Sequence, residues 1–169
     1  MDGNFHFIIG ATLTGMGATL VTDLWALLTT RVFKFAPANY CFVGRWIRYM
    51  PGSQFTHQNI AATPPKRAEC ATGWIAHYVI GIVFAFMLVL STSGRWLDSP
   101  ALFPALLFGL ITVAFPYLLM QPSFGLGIAA SKTPNPTQAR LKSLLTHTVF
   151  GFGLYISALS VRYMQSGGA

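Results

Sequence analysis

Two histidines of this sequence stand in matching contexts, each at the start of a long apolar run. His77 is followed by Tyr-Val-Ile-Gly and His147 by Thr-Val-Phe-Gly, so the pattern His-x-Val-x-Gly occurs twice, seventy positions apart. An ionisable side chain inside a membrane-length apolar run is energetically costly and by default marks a functional site. Histidine titrates near neutral pH and ligates metals, which makes both residues candidates for proton transfer, ligand binding or metal ligation.

The composition is that of an integral membrane protein. Of 169 residues, 53% are hydrophobic and 9% charged, with a mean hydropathy of +0.54, whereas a soluble domain carries about a quarter charged residues. A membrane helix needs about 20 apolar residues. We therefore predict an all-α, polytopic membrane protein, a four-transmembrane-helix bundle built from one domain over residues 1–169, with the first helix retained and not cleaved as a signal. The predicted helices cover residues 5–30, 73–92, 101–120 and 143–163.

The basic residues are distributed unevenly, and their distribution predicts the topology. The net charge is +7, and nine of the eleven Lys and Arg residues lie in or beside the connections after the first and third helices: Arg31, Lys34, Arg45, Arg48, Lys66, Arg67, Lys132, Arg140 and Lys142. The positive-inside rule places these connections in the cytoplasm and both termini outside. Basic residues beside helix ends also attract anionic lipid headgroups, so membrane lipids explain the charge and no nucleic acid is expected.

Both basic connections are predicted to lie against the membrane. Residues 40–50 mix aromatic, aliphatic and basic side chains, which indicates a short interfacial helix ended by Pro51-Gly52. Residues 121–130 are apolar and glycine-rich but too short to span a bilayer. We expect them to fold back against the cytoplasmic mouth of the bundle, after a kink at Pro116.

The two cysteines, Cys41 and Cys70, both fall in the first of these connections. Thiols stay reduced in the cytoplasm, so free thiols are expected there. Because His57 lies between the two cysteines in the sequence, a Cys–His metal site is the alternative, although the C-x-x-C spacing that is typical of zinc sites is absent.

Small residues at steps of three and four mark the packing face of each helix, and these faces carry the ionisable side chains. With a rise of about 1.5 Å per residue, His77 and His147 lie about 6–8 Å inside their cytoplasmic helix ends, and Asp23 about 10 Å inside its own. The three residues therefore share one layer of the bundle. The predicted ligand site has a core of Asp23, His77 and His147, secondary members Gln121, Tyr78 and Tyr117, and a rim of Arg45, Arg48 and Arg140.

Three functions fit such a layer, and none is an enzyme activity, because no Gly-x-Ser-x-Gly, His-Glu-x-x-His or phosphate-binding loop occurs. The leading interpretation is that the layer binds or passes a small ligand, a lipid or a proton. The first alternative is a structural or assembly subunit, as a homo-oligomer or in a larger membrane complex, in which Asp23 only fixes helix packing. The second is a bundle in which His77 and His147 hold a haem or a metal ion.

Several strings of the sequence are distinctive, and together they cover nearly the whole chain. They resemble a family of small bacterial inner-membrane proteins without an assigned function. The resemblance implies a polytopic protein of the bacterial inner membrane, with periplasmic termini if the charge rule holds, and it implies no activity and no catalytic residues. The strings are Gly10-Ala11-Thr12, Thr22-Asp23-Leu24-Trp25, Val43-Gly44-Arg45-Trp46, Ala76-His77-Tyr78, Met120-Gln121-Pro122, Ser131-Lys132-Thr133-Pro134-Asn135-Pro136 and Leu145-Thr146-His147.

Overall fold

The computed structural model describes residues 2–34 and 36–167, and the regular elements in these ranges are all helical. Four of the helices are long and apolar enough to cross a membrane, which confirms the predicted four-helix membrane protein. The helices are α1 (Asp2–Phe33), α2 (Tyr40–Tyr49), α3 (Glu69–Ser91), α4 (Arg95–Asp98), α5 (Leu102–Ser123) and α6 (Pro136–Ser166), and α2 and α4 are too short to span.

Two of the spanning helices begin earlier than the apolar runs predict. Helix α3 begins at Glu69 and α6 at Pro136, ahead of the predicted starts at residues 73 and 143. Proline is favoured in the first turn of a helix, where its missing N–H is not needed. Hydropathy reports where a helix enters hydrocarbon, so it misses the polar turns that continue the helix beyond the membrane.

Close backbone contacts at glycines hold the four long helices together. A Cβ atom on Gly15 of α1 would overlap the backbone of α3 at Ile82, and one on Gly153 of α6 would overlap α1 at Ala18. Gly109 of α5 and Gly151 of α6 face each other in the same way. The predicted small-residue faces are therefore the packing faces, where membrane helices gain van der Waals contact that lipid would otherwise supply.

A second layer covers the end of the bundle that carries most of the basic residues. It consists of α2 and the following residues 50–68, which we call the cap. Helix α2 crosses α3 so closely that a Cβ on Gly44 would overlap the Glu69 carbonyl. Further along the cap, the His57 amide donates to the Ser123 carbonyl (2.8 Å) and the Ile60 amide to the Phe124 carbonyl (3.1 Å). A helix is thus present where the interfacial helix was predicted, and it packs on protein.

Arg45, predicted at the rim of the site, is buried between α2 and the start of α3. Its side chain forms a two-point ion pair with Glu69, Nε to Oε2 at 2.8 Å and Nη2 to Oε1 at 2.6 Å. The Nη1 group also donates to the carbonyls of Ile60 (2.9 Å) and Thr63 (2.7 Å). Because Glu69 opens α3 directly below α2, the guanidinium turns inward to this carboxylate and away from the membrane surface.

Cys41 and Cys70 form a disulfide, so the expectation of free thiols was wrong. The first cysteine follows Tyr40 at the start of α2 and the second follows Glu69 at the start of α3. Where α2 crosses α3, the two sulfur atoms meet. The alternative of a Cys–His metal site is not formed, because His57 contacts Tyr49, Gln54 and Thr63 in another part of the cap.

The ion pair generates a first prediction. Replacing Glu69 with Ala leaves a buried guanidinium without its carboxylate, which costs about 3–5 kcal/mol in buried pairs. We expect the Glu69→Ala variant to show a clear drop in the melting temperature in detergent. The matched control is Arg48→Ala, which removes an exposed hydrogen bond to Thr72 Oγ1 (3.0 Å). Equal melting temperatures for the two variants would contradict a stabilising role for the pair.

A second prediction concerns His57, which is buried in the cap with Nδ1 3.2 Å from Thr63 Oγ1 and 3.3 Å from Gln54 Nε2. Burial, followed by the charge of Arg45, lowers the pKa of His57. The unfolded chain, with a histidine pKa of about 6.5, therefore takes up protons first as the pH falls. The free energy of unfolding is therefore unaffected by His57 above about pH 6.5, where the ring is neutral in both states, and it decreases as the pH falls below that value.

We expect the melting temperature of the wild type to fall between about pH 7 and pH 5. The His57→Gln variant should show a smaller fall, because its amide does not titrate. His6→Gln is the control, since His6 is exposed at the opposite end of the bundle. An unchanged pH dependence in His57→Gln would show that other groups cause the fall.

Candidate functional site

Three of the predicted site residues form one hydrogen-bonded cluster between α1 and α3. His77 Nε2 lies 2.9 Å from Asp23 Oδ1, and the Tyr78 hydroxyl donates to Asp23 Oδ2 at 3.0 Å. The side chains of His77 and Asp23 are 16% and 18% exposed, so the cluster lies below the surface. His77 and Tyr78 are adjacent on α3, and their side chains lie on either side of the line along which α3 packs on α1. Both can therefore reach Asp23. The two donors hold the carboxylate in a fixed orientation.

Tyr40 completes this cluster, and no pattern in the sequence predicted it as a site residue. Its ring stacks on His77 with the ring centroids 4.0 Å apart, and it also contacts Trp74 at 4.8 Å. Burial first, and then the charge of Asp23, raises the pKa of the Tyr40 phenol above its ordinary value. The phenol therefore stays neutral. Tyr40 is the first residue of α2, so the crossing of α2 over α3 brings the cap onto the predicted site.

The third predicted core residue, His147, forms its side-chain hydrogen bond with α5. Its Nδ1 lies 2.8 Å from Thr112 Oγ1 on α5, and the same hydroxyl donates to the Gly109 carbonyl at 2.6 Å. Since a hydroxyl has one proton to give, Thr112 must accept from Nδ1–H of His147. In the neutral ring this assignment leaves Nε2 as an acceptor. His147 thus joins the site through a cavity that it shares with His77.

That cavity, the inner cavity, has a volume of about 410 Å³ and lies between α1, α3, α5 and α6 below the cap. His77, His147 and Gln121 line it, and most of the remaining lining is apolar. Gln121 is 8% exposed, and its amide oxygen has no hydrogen-bond partner within the described residues. The apolar lining includes Ile80, Phe84, Phe115, Met120, Phe124 and Phe150.

An irregular stretch of α5 places Gln121 on the cavity wall. Residues Pro116–Met120 form a π-helical turn in place of the simple kink predicted at Pro116. Proline lacks the N–H that continues an α-helix, and such π turns occur often at functional sites. The predicted fold-back follows, with positive φ at Gly125 (84°) and Gly127 (74°). A side chain on Gly125 would overlap the Gln58 carbonyl of the cap, so glycine is required where the two segments meet.

A second cavity of about 810 Å³, the outer cavity, adjoins the first. Asp23 and Lys142 line it from α1 and α6, together with the rings of Trp25, Tyr40 and Trp74. The two cavities share one wall, which consists of Thr22, Ala38, Tyr40, Thr133, Ala139, Lys142 and Thr146. The two cavities are therefore direct neighbours.

The other predicted members lie outside the two cavities. The Tyr117 hydroxyl donates to the Arg140 carbonyl at 2.7 Å, and Arg140 Nε donates to the Ala129 carbonyl at 2.8 Å. These bonds fasten the fold-back to α5 and α6. Arg48 donates from the exposed side of α2 to Thr72. Neither of the two cavities is lined by Tyr117, Arg140, Arg48 or Tyr78. Tyr78 nevertheless positions Asp23 through its hydrogen bond.

The geometry bears on metal and cofactor binding as well. Within the part of the chain that the structure describes, no group of three or more His, Cys, Asp or Glu side chains is placed to hold a metal ion. His77 and His147 each use one ring nitrogen for a polar neighbour, Asp23 or Thr112. Histidines that ligate metals are commonly oriented in this way through the other nitrogen. Two axial ligands to one haem are therefore the most that this pair could supply.

Fold and site together define a polytopic membrane protein with two adjoining, mainly apolar cavities at one end of its helix bundle. The chain belongs to the family described as protein of unknown function DUF2938, whose model matches residues 12–161. This match confirms the family resemblance seen in the sequence. No curated protein and no solved structure matched the chain in the comparisons.

Proposed function

We propose that this protein is a non-enzymatic binding protein that holds a small amphipathic molecule in its two adjoining cavities. The observation that carries the proposal is that two mainly apolar cavities share lining residues, among them Lys142, and that the outer cavity also bears Asp23. Ligand sites in proteins are commonly concave, largely apolar and fitted with a few polar groups, with volumes of about 300–1,000 Å³. An amphipathic molecule would place its hydrocarbon part in the inner cavity and its polar part in the outer one.

Position in the membrane supports the same function. The cavities lie at the ends of the spanning helices, beneath the cap and the fold-back. Membrane lipids are amphipathic, and they are present at this depth at high concentration. The inner cavity also carries polar groups, so a hydroxyl or amide on the ligand could donate a hydrogen bond to the amide oxygen of Gln121. Small solutes and protons are further ligands that the polar layer could pass.

The alternative is a structural or assembly subunit, either as a homo-oligomer or within a larger membrane complex. One observation favours it: both oxygens of Asp23 already accept a hydrogen bond, so the cluster can serve to hold α1 against α3. In that case the cavities bind no specific molecule, and substitutions that fill them would not change what the purified protein retains. A test of occupancy therefore separates the two functions.

For that test, the protein is extracted together with native lipid by a styrene–maleic acid polymer, and the bound molecules are identified by mass spectrometry. We expect a retained amphipathic molecule in the wild type. Its amount should fall strongly in Ala139→Phe and Thr146→Phe, since both residues lie in the shared wall. Val83→Phe, on the exposed face of α3, is the control. Equal occupancy in all four proteins would overturn the proposal. A Soret absorption band would instead support haem between His77 and His147.

We also propose that the membrane is the bacterial inner membrane and that both termini lie in the periplasm. The support is the nine Lys and Arg residues at the cap end of the bundle, against Arg95 and Arg162 toward the other end. The Cys41–Cys70 disulfide lies at the cap end too and weighs against this orientation, because disulfides persist mainly in oxidising compartments.

Two serines offer a matched test of the orientation. Ser53 in the cap and Ser93 between α3 and α4 are both exposed and both have positive φ, 58° and 53°. In a chain carrying Cys41→Ser and Cys70→Ser, each serine is replaced in turn by cysteine, and intact cells are treated with a membrane-impermeant maleimide. We expect labelling of Ser93→Cys in intact cells and of Ser53→Cys only after lysis. The reverse pattern would overturn the orientation and place the disulfide outside the cytoplasm.

A further inference from the structure

Two groups of opposite charge line the outer cavity without pairing with each other. Asp23 accepts from His77 and Tyr78, whereas the Lys142 ammonium donates to the main-chain carbonyl of Ala36. Within the described residues, the close charged pairs are Arg45–Glu69 and His77–Asp23. Lys142 therefore has no carboxylate partner there. Opposite charges attract strongly where the local dielectric is low. Because Asp23 and Lys142 do not pair with each other, each can attract a group of opposite charge on a ligand.

The Asp23 end of the cavity has the features of an ammonium site. The rings of Trp25, Tyr40 and Trp74 line the cavity together with the carboxylate. Aromatic faces attract cations, and quaternary ammonium groups are recognised by clusters of such rings. An ionised carboxylate has about four acceptor positions, and His77 and Tyr78 use two of them. Acceptor positions thus remain on the carboxylate for a further donor or cation.

The Lys142 end suits an anion. A lysine ammonium has three donor protons, and the contact with Ala36 uses one of them. Asn135, Gln138 and Thr146 line the same cavity and carry further side-chain donors. Lysine binds phosphate as a point charge, and amide and hydroxyl groups complete such sites. A phosphate or a carboxylate would have several partners at this end.

We propose that the outer cavity binds a zwitterion, with its ammonium group beside Asp23 among the three rings and its phosphate or carboxylate beside Lys142. The inference extends the proposed function by naming the polar part of the ligand. The same chemistry occurs in the headgroup of a zwitterionic phospholipid and in a free, soluble ammonium phosphate. With a phospholipid, the acyl chain would extend across the shared wall into the inner cavity. With a free zwitterion, the inner cavity would take no part.

Both sources can be tested on the full-length protein in nanodiscs made only of phosphatidylglycerol, which has no ammonium group. Three probes are titrated: dihexanoyl phosphatidylethanolamine, dihexanoyl phosphatidylglycerol of the same chain length, and free phosphoethanolamine. Binding is followed by intrinsic tryptophan fluorescence, because Trp25 and Trp74 line the cavity. We expect the ethanolamine lipid to bind at least about tenfold more tightly than the glycerol lipid, a difference of about 1.4 kcal/mol. Equal affinities would overturn the inference.

Variants assign each end of the ligand. Asp23→Asn should remove the preference for the ammonium lipid, whereas Lys142→Gln should weaken that lipid but leave binding of dodecyltrimethylammonium, which has no anionic group, unchanged. Asp98→Asn and Lys66→Gln are charge-matched controls on exposed residues outside the cavities. Because Asp23→Asn also changes helix packing, Trp25→Leu gives an independent test. This variant should weaken binding of both the ethanolamine lipid and dodecyltrimethylammonium. Unchanged affinities in Asp23→Asn and Trp25→Leu would overturn the assignment of the ammonium site.

The outcomes also separate this inference from the proposed function. If the native ligand is amphipathic but has no ammonium group, the zwitterion site is wrong and the binding function stands. If no molecule is retained from the membrane but free phosphoethanolamine binds as tightly as the lipid, the zwitterion site stands and the amphipathic ligand is wrong. A lipid that binds much more tightly than free phosphoethanolamine, and loses this advantage in Ala139→Phe, supports both.

Discussion

The Arg45–Glu69 ion pair is the interaction on which the cap end of the structure depends. One guanidinium joins three parts of the chain: α2, which carries it, α3, which supplies the carboxylate, and residues 60–63, which supply main-chain carbonyls. The pair is buried, and its remaining donors are satisfied by those carbonyls, so the cost of removing two charges from water is largely offset. Together with the Cys41–Cys70 disulfide, the pair fixes α2 across the start of α3.

The position of α2 decides the site. Gly44 and Gly73 let α2 and α3 approach so closely that side chains there would collide with backbone, and Tyr40 is then carried onto His77. The cap next pairs with the fold-back through main-chain hydrogen bonds at Ser123 and Phe124. Irregular backbone near the membrane needs such partners, because lipid offers none. The two segments that cover the cavities therefore also satisfy each other.

The sequence predicted the parts of this structure that obey periodic rules, and it missed those that depend on long-range pairing. Four helices, the interfacial helix and the inward faces of Asp23 and His77 follow from hydropathy and small-residue spacing. The Arg45–Glu69 pair joins residues 24 positions apart, and no local pattern distinguishes a paired arginine from a free one. Equal depth grouped His147 with Asp23 in one predicted site, but depth does not give the rotation of a helix, and the His147 ring is hydrogen-bonded to Thr112 on α5.

The bonds that hold the cap lie outside the cavities that it covers. Arg45, Glu69 and the two cysteines do not line either cavity, and the cap contributes Tyr40, Phe42 and Val43 to the wall of the inner one. These side-chain supports are separate from the contact surface of the wall, an arrangement that favours preorganisation. Preorganisation of this kind reduces the entropy that binding must overcome. The cluster of Asp23, His77, Tyr78 and Tyr40 is consequently set by the fold, and of its members Asp23 lines the outer cavity, His77 the inner one and Tyr40 both.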